Sequence, residues 1–166
     1  MAMEPINLFA LHKDLAALVG QLRAWKLDVN LEGTDDDWRR ASVEINFGRP
    51  LSLTFLFDPA YCAEPNWSQQ LRGMQNYFRA FPDTPRKAEV LAFIPRLQAA
   101  YATVWEPERM EDSDEDQRIS LVCALAKALD CVLFLPSGLR DHFGRALLTS
   151  DGEYRSDAEL PPYPKG

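Results

Sequence analysis

A chain of 166 residues, 46% apolar and 26% charged, is long enough for one domain with a full hydrophobic core and has an ordinary globular composition. Its 25 acids outnumber its 18 bases, and the net charge of −7 is the wrong sign for a protein that gains affinity by neutralising phosphates. Only Arg39-Arg40 and Arg86-Lys87 are adjacent bases, so no basic stripe points to a nucleic-acid surface.

The three cysteines, Cys62, Cys123 and Cys131, are odd in number and lack CxxC spacing. Neither a disulfide framework nor a zinc site is expected, and reduced cytosol is the matching compartment. The first residues show no basic n-region, unbroken apolar run or small-residue cleavage site, so no signal peptide is expected. The longest apolar stretch, 119–135, carries Lys127 and Asp130 and stops at Pro136. It reads as a buried helix and a strand, with no membrane span.

In chain order, Leu8, Leu11, Leu15, Leu18, Leu22 and Trp25 alternate steps of three and four, which predicts a helix over residues 9–26. Residues 30–37 read as an acidic loop. Residues 38–47 alternate Ala41, Val43, Ile45 and Phe47 against polar neighbours. Leu51, Leu53, Phe55 and Phe57 return on one face after the turn Gly48-Arg49-Pro50, a hairpin signature. Thr54 and Leu56 lie on its other side, which suggests that this side too is partly covered.

Trp67, Leu71, Met74, Phe78 and Phe81 predict a helix over about 68–80. Gly73 within it points to close approach of another backbone, since glycine there costs roughly 1 kcal/mol relative to alanine. Thr84-Pro85 is a hydroxyl cap followed by proline in the first turn. The apolar pattern runs on to Tyr101, with a kink expected at Pro95, then a short strand at 103–106. An acidic loop, 108–116, precedes a helix over 115–129 whose apolar residues occupy nearly all faces. Residues 132–135 read as an interior strand with 145–149 as its antiparallel neighbour. Residues 153–166, ending PPYPKG, read as a loose tail after a domain spanning 1–152.

Several residues invite a chemical reading. Asp112, Asp114 and Asp116 have the one-three-five spacing of a calcium loop, but its sixth and twelfth positions are Gln117 and Cys123 instead of glycine and glutamate. Asp141 and His142, in a loop with Gly138 and Gly144, have the chemistry of proton transfer. No G-x-S-x-G elbow accompanies Ser137, and adjacent side chains usually diverge. Cys62 precedes a helix closely enough for thiol activation to be considered, but no base is identifiable. No catalytic set, metal site or cofactor emerges.

Leu71-Arg72-Gly73-Met74, Tyr77-Phe78, Leu129-Asp130, Phe134, Asp141, Gly144-Arg145, Leu147-Leu148 and Asp151-Gly152 form a pattern of small and apolar positions over about half the chain. It resembles uncharacterised bacterial α+β proteins, some of which sit among immunity-type proteins of interbacterial toxin systems. The resemblance implies binding over catalysis and supplies no catalytic residue.

The expectation is an α+β fold, ordered α-β-β-α-α-β-α-β-β. A mixed sheet would hold two hairpins and a right-handed crossover with a parallel pair of strands, its helices mainly on one face. The expected function is a cytoplasmic, non-enzymatic protein-interaction module of immunity or regulatory type. Asp35, Asp36, Asp37, Asp112, Asp114 and Asp116 would steer a basic protein partner such as a toxin. Asp141 and His142 are further binding candidates. The alternative is a small enzyme or small-molecule binder with its site in 130–145. Oligomeric state is open.

Overall fold

The computed structural model describes residues 6–46, 50–106 and 112–164. Thirty-five per cent helix and 30% strand make an α+β fold. Its eight-stranded sheet has the order β2-β3-β4-β5-β1-β6-β7-β8. The strands are β1 (Asn7–Ala10), β2 (Val29–Thr34), β3 (Asp37–Asn46), β4 (Pro50–Leu56), β5 (Ala99–Glu106), β6 (Cys131–Leu135), β7 (Gly138–Arg140) and β8 (Ala146–Thr149). The helices are α1 (Leu15–Ala24), α2 (Asn66–Arg79), α3 (Pro85–Phe93) and α4 (Asp112–Leu129).

Every pairing among these strands is antiparallel, so the expected mixed sheet is corrected. Strand β1 lies between β5 and β6 and pairs antiparallel with both. The α4 connection therefore joins two strands that run the same way without touching. The beginning of the expected first helix supplies that inserted strand. Leu8 and Ala10 face one core and Phe9 the other. A strand apolar on both sides gives a continuous run that helical spacing mimics. The helix starts only at Leu15, where the Asp14 carboxylate accepts the Ala17 N–H at 2.9 Å, a capping bond that satisfies one orphan donor.

Strand β2, expected as loop, is a polar edge strand. A bulge shifts its register beside Gly33, so Glu32 faces Arg40 while Gly33 faces Trp38. The extra residue, Arg39, turns Trp38 onto the same side as Ala41. Gly33 has φ +124°, and a Cβ there would lie 2.2 Å from the Asp37 carbonyl oxygen. No other residue fits. The turn expected at Gly48-Arg49-Pro50 falls on 47–49, outside the described residues.

Helix α3 ends at Phe93, where a kinked continuation was expected. Ile94–Arg96 form one 3-10 turn, and the chain enters β5. Pro95 has no N–H to donate to the preceding turn, and the Leu91 carbonyl there accepts the Gln75 amide at 3.1 Å instead. Beyond it the period changes to two: Ala99, Tyr101, Thr103 and Trp105 are buried, while Ala100, Ala102 and Val104 lie on the opposite face. The expected direct pairing of 132–135 with 145–149 is also corrected, because three-residue β7 sits between β6 and β8.

Helices cover both faces, not mainly one. Leu15, Leu18, Val19 and Leu22 of α1 pack with Val122, Leu125 and Ala126 of α4 against one face. Trp67, Leu71, Met74 and Phe78 of α2 pack with Val90 and Phe93 of α3 against the other. Helix α4 buries one stripe, including Arg118, and Ile119 is 38% exposed, so the all-round burial expected for it does not occur. A Cβ at Gly73 would meet nothing within 4 Å, and no backbone approaches it as expected. Gly73→Ala should therefore raise stability by up to about 1 kcal/mol by restricting the unfolded chain; a lower midpoint in a denaturant titration would contradict this.

The tail expected to be loose is docked. Ala158 and Tyr163 are buried, and the Arg155 N–H donates to the Ala146 carbonyl at 2.9 Å. Arg86 donates to the Ala158 carbonyl at 2.9 Å and to that of Arg155 at 3.3 Å. Lys87 donates to the Arg79 carbonyl at 2.7 Å, which the end of α2 leaves unsatisfied, and to the Phe81 carbonyl just beyond the helix at 2.8 Å. One of the two adjacent pairs of bases is thus internal scaffolding.

Candidate functional site

The sheet register sets a row of side chains across one face: Glu32, Arg40, Leu56, Ala102, Asn7 and Phe134. At the Phe134 end, α2 covers the row: the Phe134 ring lies 6.1 Å from that of Phe78 and 5.6 Å from that of Phe9. Phe9 in turn stacks 6.1 Å from Trp67. Over β2–β5 no described helix packs on this face. The result is a groove of about 750 Å³ whose floor includes Phe9, Leu56, Ala100 and Ala102.

Small side chains make the depression. Ala100 and Ala102 leave the backbone of β5 shallow, and Ser42 and Thr54 join their hydroxyls at 2.9 Å further along. Val104, on the same face, is 42% exposed. On this side, expected to be partly covered, Thr54 is buried and Leu56 is half-buried.

The loop 58–61 walls one side. The Asp58 carboxylate accepts the Ala60 N–H at 2.9 Å and that of Tyr61 at 3.3 Å, and the Asn66 amide donates to the Ala60 carbonyl at 3.0 Å. The Tyr61 ring meets Trp67 edge-on at 5.8 Å. A loop tied at this many points is a preformed wall. Glu32, Arg39 and Arg40 line the other side.

The acidic candidates do not form one site among the described residues. Asp35, Asp36 and Asp37 occupy the β2–β3 turn, and the protein's own groups engage all three. Arg23 pairs with Asp35, Arg39 pairs with Asp37 at 2.7 Å, and the Thr34 hydroxyl donates to Asp36 at 3.0 Å. Asp36 and Asp37 border a depression of about 280 Å³ that shares Phe57 and Pro59 with the large groove. Asp116 is exposed and lines a different depression with Trp25, Leu27 and Ile45. The side chains of Asp112 and Asp114 lie outside the described residues.

Asp141 is 0% exposed. Its carboxylate accepts the N–H groups of Phe143 at 2.9 Å, Arg145 at 2.9 Å and Glu159 at 3.2 Å, and the Arg145 guanidinium at 3.0 Å. All its acceptor capacity serves the loop and the docked tail. His142 is buried between the rings of Phe143 and Tyr163, at 4.1 and 4.0 Å. Burial holds its pKa below the ordinary histidine value. Neither group faces the groove.

Cys62 is half-buried, and burial, partly offset by the Ala100 carbonyl, raises its thiol pKa. Burial pushes Cys123 up to about 11. Neither is an activated nucleophile. Among the described residues no group of three or more His, Cys, Asp or Glu side chains could hold a metal ion, and no helix is long and apolar enough to cross a membrane.

Sequence reasoning missed the groove residues Asn7, Arg40, Ala100 and Ala102. The legible signal was the alternation of residues 99–105, hidden by extending the helical pattern through Pro95. Compared with family models, curated proteins and solved structures, the chain matches none.

Proposed function

We propose that this protein is a non-enzymatic protein-binding module whose partner lies across the open half of the sheet, in an immunity or regulatory role. The carrying observation is the groove over β2–β5: a walled, partly apolar sheet face left open while the other half of that face lies under α2 and α3. Contiguous apolar depressions with polar rims are common binding surfaces. The residues with proton-transfer chemistry, Asp141 and His142, are committed to internal structure. The net charge of −7 favours a basic partner by steering its approach.

The test is paired capture from an extract of the source cells, using wild type, Ala102→Arg and the control Gln70→Arg. Ala102 lies in the floor and Gln70 on the exposed side of α2. A protein retained by wild type and Gln70→Arg but lost by Ala102→Arg supports the proposal. Equal retention by all three overturns it.

A second reading is favoured by the groove's size, which falls within the roughly 300–1,000 Å³ usual for small-ligand pockets. Asn7, Arg40 and Tyr61 would supply the polar contacts. On that reading no retained protein distinguishes wild type from Ala102→Arg.

The acidic segment at the start of α4 acts on encounter. Replacing Asp112, Asp114 and Asp116 with asparagine should leave the melting temperature within a few degrees, since charge at a helix N-terminus contributes roughly 0.3–1 kcal/mol. Association with a basic partner should slow at low salt, and the difference should shrink as salt screens exposed charge. An unchanged association rate at low salt would leave these residues as solubilising groups.

A further inference from the structure

The C-terminal segment closes the far edge of the sheet. Strand β8 is terminal in the strand order; outside it the Thr149 N–H donates to the Glu153 carbonyl and the Arg155 N–H to that of Ala146, both at 2.9 Å. The segment ends in a buried clamp. The Tyr163 N–H donates to the Asp130 carboxylate at 3.1 Å, and its hydroxyl donates to the Cys131 carbonyl at 2.8 Å. Tyr163 is 2% exposed, and its ring forms one side of the sandwich around His142. The His142 Nδ1 is shielded from solvent and has no hydrogen-bond partner among the described residues.

We propose that His142 makes the docking of residues 153–164 pH-dependent, so that protonation of its ring in mild acid loosens this strap and uncovers the outer edge of β8. A neutral imidazole keeps Nδ1 as an unprotonated acceptor, tolerable inside an aromatic sandwich. Protonation places an N–H donor there with nothing to receive it, and a buried unpaired donor on a charged ring is strongly disfavoured. Lifting Tyr163 away lets water reach that atom.

The charged groups around the ring oppose one another. Asp141 on its own loop and Glu159 on the strap favour the cation; Arg145 on the loop and Lys127 on α4 disfavour it. The two flanking rings also favour positive charge, but burial prevails and lowers the ring's pKa. A histidine pKa lower in the docked state than when free means that docking is fully favoured above the free value of about 6.5. Docking then weakens as pH falls through that value. The Arg155 guanidinium holds the Asp157 carboxyl below the ordinary carboxylate range, well outside this window.

Hydrogen exchange on the full chain tests this, with rates corrected for intrinsic pH dependence, at about pH 7.5 and about pH 5.5, on either side of the free imidazole value. Protection at the amides of Arg155, Glu159 and Tyr163 should fall several-fold in acid, while β1 amides hold. In His142→Phe, which keeps a ring but cannot charge, the acid loss should vanish. Equal protection at both pH values in wild type, or the same acid loss in the variant, overturns the proposal. Should the variant fail to fold, the wild-type ring decides by its own NMR titration. A midpoint below the free value supports the inference, and one at or above it overturns it.

Discussion

Truncating Trp38 to alanine is expected to lower the unfolding free energy by roughly 3–5 kcal/mol, the usual cost of removing a fully buried large aromatic side chain. Trp38 is fully buried, stacks 5.9 Å from Tyr101 and meets Phe57 edge-on at 6.3 Å. Its indole N–H donates to the Leu15 carbonyl at 2.9 Å, so the variant combines a cavity with the loss of a hydrogen bond that ties β3 to the start of α1. Val104→Ala, at an exposed position of the open face, should stay within about 0.5 kcal/mol of wild type. Chemical denaturation of the two variants side by side measures this, and a loss under about 1 kcal/mol at Trp38 would contradict the bulge-directed burial.

The second large effect is expected at Asp141. Asp141→Ala should cost roughly 3–5 kcal/mol, because removing one member of a buried pair leaves its hydrogen-bonding partners uncompensated. The N–H groups of Phe143, Arg145 and Glu159 all lose their acceptor. The loss should be local first, with the β7–β8 connection and the docked tail losing exchange protection before β1. A variant that kept full stability and lost a chemical activity would make Asp141 catalytic instead of structural.

The parts of this fold that were legible in the sequence have one face buried and one exposed. The β3–β4 hairpin and α2 show clean periods of two and 3.6 because water and core impose opposite demands on alternate or successive residues. Strand β1 was illegible for the opposite reason. Buried on both faces, Leu8, Phe9 and Ala10 show no polar period, and Leu8 happens to fall in step with the stripe of α1. Edge strand β2 failed differently: its glutamate and glycine suit an edge exposed to water, so its strand character comes from pairing with β3.

The candidate site was least legible because nothing in it is local. Asn7, Arg40, Leu56 and Ala102 meet through the register of four strands, and that register depends on β1 entering between β5 and β6. The acidic runs were easy to see and proved less decisive. In the β2–β3 turn, Arg23 and Arg39 pair with Asp35 and Asp37; such exposed pairs contribute little to stability but reduce the field a partner meets. The open groove is therefore the stronger basis for binding, with charge as a modifier of encounter.

Hydroxyl-radical footprinting of the protein alone and with the partner recovered by wild type tests this most directly. Tyr61, Leu56 and Val104 report on the groove and its face; Tyr77, 43% exposed, and Phe143, 63% exposed, report on surfaces away from it. The account predicts that the partner shields Tyr61, Leu56 and Val104 and leaves Tyr77 and Phe143 as reactive as before. Shielding of Tyr77 or Phe143 with an unchanged groove would contradict it.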